Sequence, residues 1–220
     1  MNISSNLEFL KALGENNNKP WMDANKKWYE TERKKLTTFV TTLIQTLSET
    51  EPAFGTVLAK DCLFRINRDI RFSKDKSPYK ANFGVHLNAE GKNSIRGGYY
   101  LHIAADSSSF AGGGIWMPEA ENIKKIRQEI DYNWEEFKSI IENKQFKKIF
   151  GDLNADEKLV RPPKGYEADN PAVEYSKLKS YTVFRSLSQK ELASDKLADI
   201  CLETFHTMRP LLAFLNRALD

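Results

Sequence analysis

The residues between Arg65 and Lys80 have the strongest potential for chemistry in this sequence. Six basic side chains lie within sixteen residues and face only two acidic ones, so the segment has a surplus of four positive charges. The formal charge of the whole 220-residue chain is only +3. The positive charge is therefore concentrated locally. The basic residues are Arg65, Arg68, Arg71, Lys74, Lys76 and Lys80, and the acids are Asp69 and Asp75.

These residue types suit the binding of an anion. The guanidinium group of arginine is a planar fork that matches the oxygens of phosphate or carboxylate, and lysine adds a compact point charge. The aromatic Tyr79 can donate from its hydroxyl group. We therefore predict a module that binds a phosphorylated or other anionic ligand, with a nucleotide or nucleic acid as its partner. The predicted ligand-binding residues are Arg65, Arg68, Arg71, Lys76, Tyr79 and Lys80.

Two alternatives stay open at this point. The segment could belong to an enzyme that acts on a phosphate- or carboxylate-bearing small molecule, with Asp69 or Asp75 as the candidate catalytic base and the arginines as a clamp. It could also be architectural, because the same two aspartates can pair with the arginines in an ion-pair network within a protein-interaction domain.

The local pattern predicts an extended segment with two faces. Phe64, Ile66, Ile70 and Phe72 alternate with the polar positions, and Ser77-Pro78 marks a turn. Arg68 falls in the apolar phase, so we expect it either on a bulge or buried against a carboxylate. If the segment were helical, the three-residue spacing would place its arginines on one face.

Other candidates have less support from their pattern. His86 and His102 fall on neighbouring predicted strands, but two histidines without further ligand spacing do not specify a metal, and we predict neither a metal site nor a cofactor. The glycine run 112–114 lacks the spacing of a phosphate-binding loop and indicates a strand bulge or a close backbone approach. Aromatic side chains that could stack on bases, but that more often form core, are Trp21, Trp28, Trp116 and Tyr166. Lysines late in the chain that could join the basic segment or simply face solvent are Lys164, Lys177 and Lys179.

The elements that must position these residues follow from hydrophobic periodicity. Alternating or continuous apolar runs predict strands at 62–66, 83–87, 99–103, 110–117 and 181–187. Helical spacing predicts a first helix near 5–13, a long amphipathic helix up to Glu51-Pro52, two helices after Pro118, and a last helix from Asp195 that Pro210 should kink or divide. The fold class is therefore α+β, with an antiparallel sheet of about four to five strands packed against N-terminal, middle and C-terminal helices.

Length and composition predict one domain over residues 1–220. The 40% apolar and 29% charged residues are ordinary for a globular chain, and no linker or repeat divides it. Cys62 and Cys201 lie in apolar surroundings without metal or disulfide spacing, which indicates buried free thiols. No leader-like or membrane-length apolar run occurs, so we expect a cytoplasmic protein without a membrane partner.

The basic segment also carries a family resemblance. The pattern Arg65-x-x-Arg68-Asp69-x-Arg71-Phe72, followed by Asp75-Lys76-x-x-Tyr79, resembles the signature of the domain of unknown function family 2461. The similarity extends over nearly the whole chain, from Phe9-Leu10 to Leu178-Lys179, and Lys19 departs from it where arginine is expected. The resemblance implies a bacterial protein that stands alone, and it implies no activity.

Overall fold

This computed structural model describes residues 2–220, which contain ten α-helices, one 3₁₀ turn and four strands. The helices are α1 (Ser4–Glu15), α2 (Lys19–Ala24), α3 (Lys26–Thr50), α4 (Ala59–Cys62), α5 (Ala120–Tyr132), α6 (Trp134–Ile141), α7 (Lys144–Phe150), α8 (Val173–Ser176), α9 (Gln189–Leu192) and α10 (Leu197–Arg217). The strands are β1 (Asn82–Leu87), β2 (Gly98–Ala104), β3 (Phe110–Ile115) and β4 (Tyr181–Ser186), and the 3₁₀ turn is Pro52–Thr56.

The four strands form one antiparallel sheet in the order β1-β2-β3-β4, which confirms the predicted α+β class. Sequence order and spatial order coincide because short loops join the first three strands. The turn between β2 and β3 is closed by Ser109, whose hydroxyl oxygen accepts from the Ala104 N–H at 2.9 Å and whose hydroxyl donates to the Ala104 carbonyl at 3.0 Å. This arrangement fixes the register of the hairpin.

The predicted strand at 62–66 is wrong. Cys62 ends helix α4, and Leu63 makes only an isolated antiparallel bridge to Val85 in β1. The Phe64 N–H still donates to the Gly84 carbonyl at 3.0 Å, but the Phe64 carbonyl faces Arg33 at 3.5 Å, and the Ile66 carbonyl accepts from the Lys80 N–H at 2.8 Å. The chain therefore leaves the sheet at the start of the basic segment.

One compact unit comprises the chain up to Lys92 together with Tyr100–Ala111 and Ser186–Glu203. Its core includes Phe9 on α1, Phe39 on α3 and Phe83 on β1, all buried. The Phe9 and Phe83 rings stack with centroids 6.2 Å apart. This unit contains the whole basic segment.

The second unit comprises Asn93–Tyr99, Gly112–Arg185 and Thr204–Asp220. The glycine run lies here, where a Cβ atom on Gly112 would fall 2.0 Å from the Val183 carbonyl oxygen and one on Gly114 would fall 2.0 Å from that of Tyr181. No side chain fits such a close approach of two backbones, so the close-approach interpretation of the run is confirmed.

Both units take segments from three parts of the chain, so neither is a continuous stretch. The prediction of a single domain over residues 1–220 stays a prediction. Helix α10 runs through Pro210 without a break, and the expectation that this proline divides the helix is wrong. Buried Met208 and Leu211 flank the proline, and their packing holds the helix together although proline removes a backbone donor.

None of the helices in residues 2–220 combines the length and the apolar character needed to span a membrane.

Candidate anion-binding surface

The residues from Arg65 to Lys80, hereafter the basic loop, form a hairpin-shaped excursion from the sheet. Its two ends are held together by an antiparallel bridge between Asn67 and Tyr79 and by hydrogen bonds from the Arg68 N–H to the Pro78 carbonyl at 2.9 Å and from the Lys80 N–H to the Ile66 carbonyl at 2.8 Å. The predicted extended conformation is thus present at the two ends. Between them the chain turns back, with the Ser73 N–H 3.4 Å from the Ile70 carbonyl.

Asn17 fixes the end of the basic loop to the N-terminal helices. Its side-chain amide donates to the Tyr79 carbonyl at 2.9 Å, and its side-chain oxygen accepts from the Tyr79 N–H at 3.1 Å. The amide therefore satisfies both backbone groups of Tyr79, which is itself only 8% exposed. Our reading of the sequence missed this role, because no periodic pattern links two residues 62 positions apart.

Arg68 is held inside the loop by Asp75 and Ser73. Its guanidinium group donates to the Asp75 carboxylate and, at 3.2 Å, to the Ser73 hydroxyl, and its side chain is 24% exposed. The expectation that Arg68 lies against a carboxylate is confirmed. The pKa of Asp75 falls to about 2 because its carboxylate accepts from the Ser77 hydroxyl and N–H as well as from Arg68. A carboxylate of such low pKa is a weak base at neutral pH.

Arg71 is also paired, with Asp69. The two side chains make a bidentate contact with N–O distances of 3.0 and 2.7 Å, and the Arg71 N–H donates to the same carboxylate at 3.2 Å. These bonds lower the pKa of Asp69. The Lys76 ammonium group binds the Ile70 carbonyl at 3.0 Å. Three of the predicted ligand-binding side chains thus already have internal partners, as the architectural alternative expects.

The predicted apolar face of the loop holds for part of its length only. Ile66 is buried and Phe64 and Ile70 are half-buried, whereas Phe72 is 94% exposed. The expectation for Phe72 is wrong because the chain turns at Ile70–Ser73, and the alternation of an extended strand ends at a turn. The Arg71 guanidinium lies 5.6 Å from the centre of the Phe72 ring.

A second group of cations surrounds Phe64. The ammonium groups of Lys80 and Lys92 lie 5.5 and 5.9 Å from the centre of its ring, within the range of a cation–π interaction. The Arg33 guanidinium approaches the Phe64 carbonyl at 3.5 Å, and the Lys92 ammonium binds the Leu63 carbonyl at 3.3 Å. Sequence reasoning included Lys80 but not Arg33 or Lys92, which belong to other segments of the chain.

Four basic residues around Phe64 are hereafter called the Phe64 cation cluster: Arg33, Arg65, Lys80 and Lys92. Within the part of the chain that the structure describes, no carboxylate forms an ion pair with any of the four. Burial lowers the pKa of Lys80, and the nearby positive charge of Arg65 lowers it further. An anion bound among these groups would relieve this repulsion.

Aromatic side chains continue from Phe64 along the sheet. The Tyr100 ring is 6.2 Å from that of Phe64 and 5.8 Å from that of Phe110, and His102 stacks on Phe110 at 5.1 Å with nearly parallel planes. All four are half-buried. The Tyr100 ring is tilted by 57° against Phe64 and by 36° against Phe110, so these side chains form an uneven row of partly exposed rings next to the cations.

The two strand histidines do not form a pair. His102 contacts Phe110 and Tyr100, and no ring contact joins it to His86. Burial lowers the pKa of both imidazoles. Among residues 2–220 there is no group of three or more His, Cys, Asp or Glu side chains that could hold a metal ion.

Arg33 also borders a shallow groove on the outer side of α3. The groove has a volume of about 640 Å³ and is lined mainly by threonines, whose hydroxyls bind the helix's own carbonyls, as Thr37 does to Arg33 at 2.8 Å and Thr41 to Thr37 at 2.9 Å. These hydroxyls are therefore already used as donors and can only accept from a ligand.

The remaining candidates separate into core and surface. Trp21 and Trp28 pack against the buried Phe9 with ring centres 6.1 and 5.3 Å away, but both are only half-buried and lie at the edge of the core. Trp116 is 65% exposed, against the expectation of a core aromatic. Among the late lysines, Lys177 pairs with Glu174 at 2.6 Å, while Lys164 and Lys179 are exposed.

Comparison with known proteins gives one match. The model of a protein family described as "Conserved hypothetical protein (DUF2461)" matches residues 5–214. No curated protein and no solved structure matches the chain.

Proposed function

Because the chain belongs to the DUF2461 family, whose description names no activity, we propose its function from the basic loop and its surroundings. The protein binds a phosphate-bearing anion, a nucleotide or nucleic acid, at the Phe64 cation cluster. The observation that carries this proposal is that, in the described part of the chain, no carboxylate forms an ion pair with Arg33, Arg65, Lys80 or Lys92. The charge of Arg65 does act on the Asp69 carboxylate, but without such a contact. Surface cations near one another and without counter-charge favour anion binding.

In this proposal the ion pairs within the basic loop stabilise its conformation and do not bind the ligand. Arg68–Asp75 and Arg71–Asp69 hold the shape of the basic loop, and Arg65 and Lys80 at its two ends contact the ligand. The binding site thus moves from the middle of the loop to its ends, where Arg33 and Lys92 join it.

Catalysis by Asp69 or Asp75 has less support. Both carboxylates have a lowered pKa and both are bound to arginine, so neither is a strong proton acceptor at neutral pH. Neither aspartate lines the groove on α3 or the groove beside His206 and Pro210.

The proposal is tested by the salt dependence of binding. A fluorescent oligonucleotide and inorganic polyphosphate are titrated with wild-type protein and with Lys80→Gln and Lys92→Gln, and Lys11→Gln serves as the control because Lys11 is exposed on α1 and has no partner. Log affinity should fall linearly with log salt, and each removed contact should flatten the slope by about 0.7 for a single strand. A flat salt dependence, or an equal loss in the control, would refute the proposal.

A cytoplasmic location is part of the same proposal. It is supported by Cys62 and Cys201, which are both buried and form no disulfide. Burial raises the pKa of the Cys62 thiol to about 11, so the thiol stays protonated and unreactive at neutral pH. A buried, unreactive thiol is typical of a protein in a reducing compartment.

A further inference from the structure

Phe72 occupies an unusual position at the far end of the basic loop. Its ring is 94% exposed, the highest value for any large aromatic side chain in the described chain. An isolated phenyl ring gains nothing from water, and the turn at Ile70–Ser73 would tolerate a polar residue at this position. The ring is therefore open to a partner that also contacts the cations of the basic loop.

The loop around Phe72 is fixed. Arg68–Asp75 ties its two arms together, and the Lys76 ammonium group binds the Ile70 carbonyl within the turn. The Arg71 guanidinium over the ring is itself bound bidentately to Asp69. A ring presented on a preformed loop loses little conformational entropy when a ligand covers it.

Cations flank Phe72 as well as Phe64. Lys74 and Lys76 are exposed beside Phe72, and Arg65 and Lys80 lie at the other end of the loop. Phe72 is five residues beyond the Asn67–Tyr79 bridge, so it can lie up to about 18 Å from it. A single strand, which carries bases and several phosphates in succession, can contact both ends of the loop.

We infer that the basic loop binds single-stranded nucleic acid, with the exposed Phe72 ring stacked on an unpaired base and the Phe64 cation cluster bound to the phosphates. This inference rests on the proposed function and specifies its ligand. Bases of a single strand present their flat faces to aromatic side chains, whereas the bases of a duplex are covered by their neighbours.

An anionic membrane is the main competing partner and fits less well. Interfacial anchors bury several apolar side chains, and here Phe72 stands next to Ser73 and between Asp69 and Asp75. Among the described residues of the basic loop, Phe72 is the one large apolar side chain that is exposed, whereas an interfacial anchor needs several.

The test separates bases from phosphates. Wild type, Phe72→Ala and Tyr132→Ala are each titrated against four ligands. These are a deoxythymidine oligonucleotide, an abasic strand with the same number of phosphates, the matching duplex and phosphatidylserine vesicles. Tyr132 is the control because its ring is also strongly exposed but lies on α5. Phe72→Ala should weaken binding of the thymidine strand about 5- to 150-fold, the range for loss of one stacked base, and should leave binding of the abasic strand unchanged. Tyr132→Ala should change neither.

Different failures have different meanings. If wild type binds the thymidine and abasic strands equally and Phe72→Ala has no effect, while Lys80→Gln and Lys92→Gln weaken both, the stacking inference is overturned and the proposed function stands. If neither strand nor polyphosphate binds with a salt dependence, both are overturned. If Phe72→Ala affects only vesicle binding, the ligand is a membrane and the inference is wrong.

Discussion

Asp75 is the residue that connects the most parts of the basic loop. It accepts hydrogen bonds from the Ser77 hydroxyl at 2.6 Å and from the Ser77 N–H at 2.9 Å, and it is paired with Arg68 across the loop. All of these interactions favour the ionised carboxylate, which explains the low pKa. The charge on Asp75 therefore acts as a structural part of the loop.

The first prediction concerns the pH dependence of this contact. Because the folded pKa of Asp75, about 2, lies below its ordinary value, its contribution to stability is fully present above pH 4 and is lost as the pH falls toward 2. The carboxyl carbon resonance of Asp75 should titrate near pH 2 in wild type and at higher pH in Ser77→Ala. In Asp75→Asn, the loss of stability that protonation of Asp75 causes in wild type at low pH should be absent. Titration of Asp75 near pH 4 in wild type would contradict the assignment.

The second prediction concerns Asn17. Asn17→Ala leaves the N–H and carbonyl groups of the buried Tyr79 without their partner, so we expect a loss of about 1–3 kcal/mol in the free energy of unfolding. Urea denaturation measures the loss. Asn16→Ala is the control, because Asn16 is exposed and its side chain binds only the Ala12 carbonyl of the preceding helix α1. Equal effects of the two substitutions would show that the Asn17 contact contributes nothing specific.

At the scale of single residues, local pattern predicts only what is near in sequence. We predicted a carboxylate partner for Arg68 because Arg68 falls among the apolar positions of the alternating pattern. That partner, Asp75, lies only seven residues away. Arg33, Lys92 and Asn17 could not be assigned to the site, because Phe64 and Tyr79 lie 28 to 62 residues from them and no spacing rule covers such distances.

The strands that were predicted correctly are those whose apolar pattern matches their actual pairing in the sheet. β1, β2, β3 and β4 follow apolar runs bounded by turns. The run at 62–66 has the same composition, but it pairs with β1 only at Leu63 and Phe64, and the Ile66 carbonyl accepts from Lys80 across the basic loop. Composition cannot distinguish pairing within a loop from pairing within a sheet, which is why this element was wrong.

The third prediction belongs to strand β1 and its neighbour. A Cβ atom on Gly84 would fall 2.6 Å from the Tyr100 hydroxyl oxygen and 3.2 Å from the Phe64 ring, so Gly84→Ala must displace these rings. We expect a cost of about 1–3 kcal/mol in stability, typical of overpacking, together with weaker oligonucleotide binding. Thermal melting and binding titrations check both.

Gly55→Ala is the matched control for this change, because no atom lies within 4 Å of the added methyl group. If Gly84→Ala melts earlier but binds the oligonucleotide with unchanged affinity, the Phe64 and Tyr100 rings do not contribute to the site.

For the whole molecule, the composition predicted little about the ligand because charge is distributed unevenly. A formal charge of +3 is too small to indicate a polyanion partner, yet the four members of the Phe64 cation cluster come from three separate segments and have no acidic partner in the described chain. Such a cluster forms only through folding. Sequence reasoning therefore recognised the basic loop but not the other half of the candidate site.

The fourth prediction tests the single domain. Each unit is discontinuous in sequence, and β2, β3 and α10 contribute residues to both, so we expect one cooperative unfolding transition. Trp21 and Trp28 belong to one unit and Trp116 and Trp134 to the other. Replacing either pair by phenylalanine leaves fluorescence from a single unit. The fluorescence midpoint of each variant should coincide with its own circular dichroism midpoint, and two separate midpoints would mean two domains.

The contact between Asn17 and Tyr79 also has a consequence for the order of events in folding. The bonds within the basic loop join residues close in sequence, such as Arg68 and Asp75, and such short loops close within microseconds or less. Asn17 and Tyr79 are 62 residues apart, so their contact closes a much longer loop at a larger cost in chain entropy. The hairpin can therefore form early as an independent nucleus, and its attachment to the N-terminal helices should be a late step that slows when Asn17 is replaced, with the rate of hairpin closure unchanged.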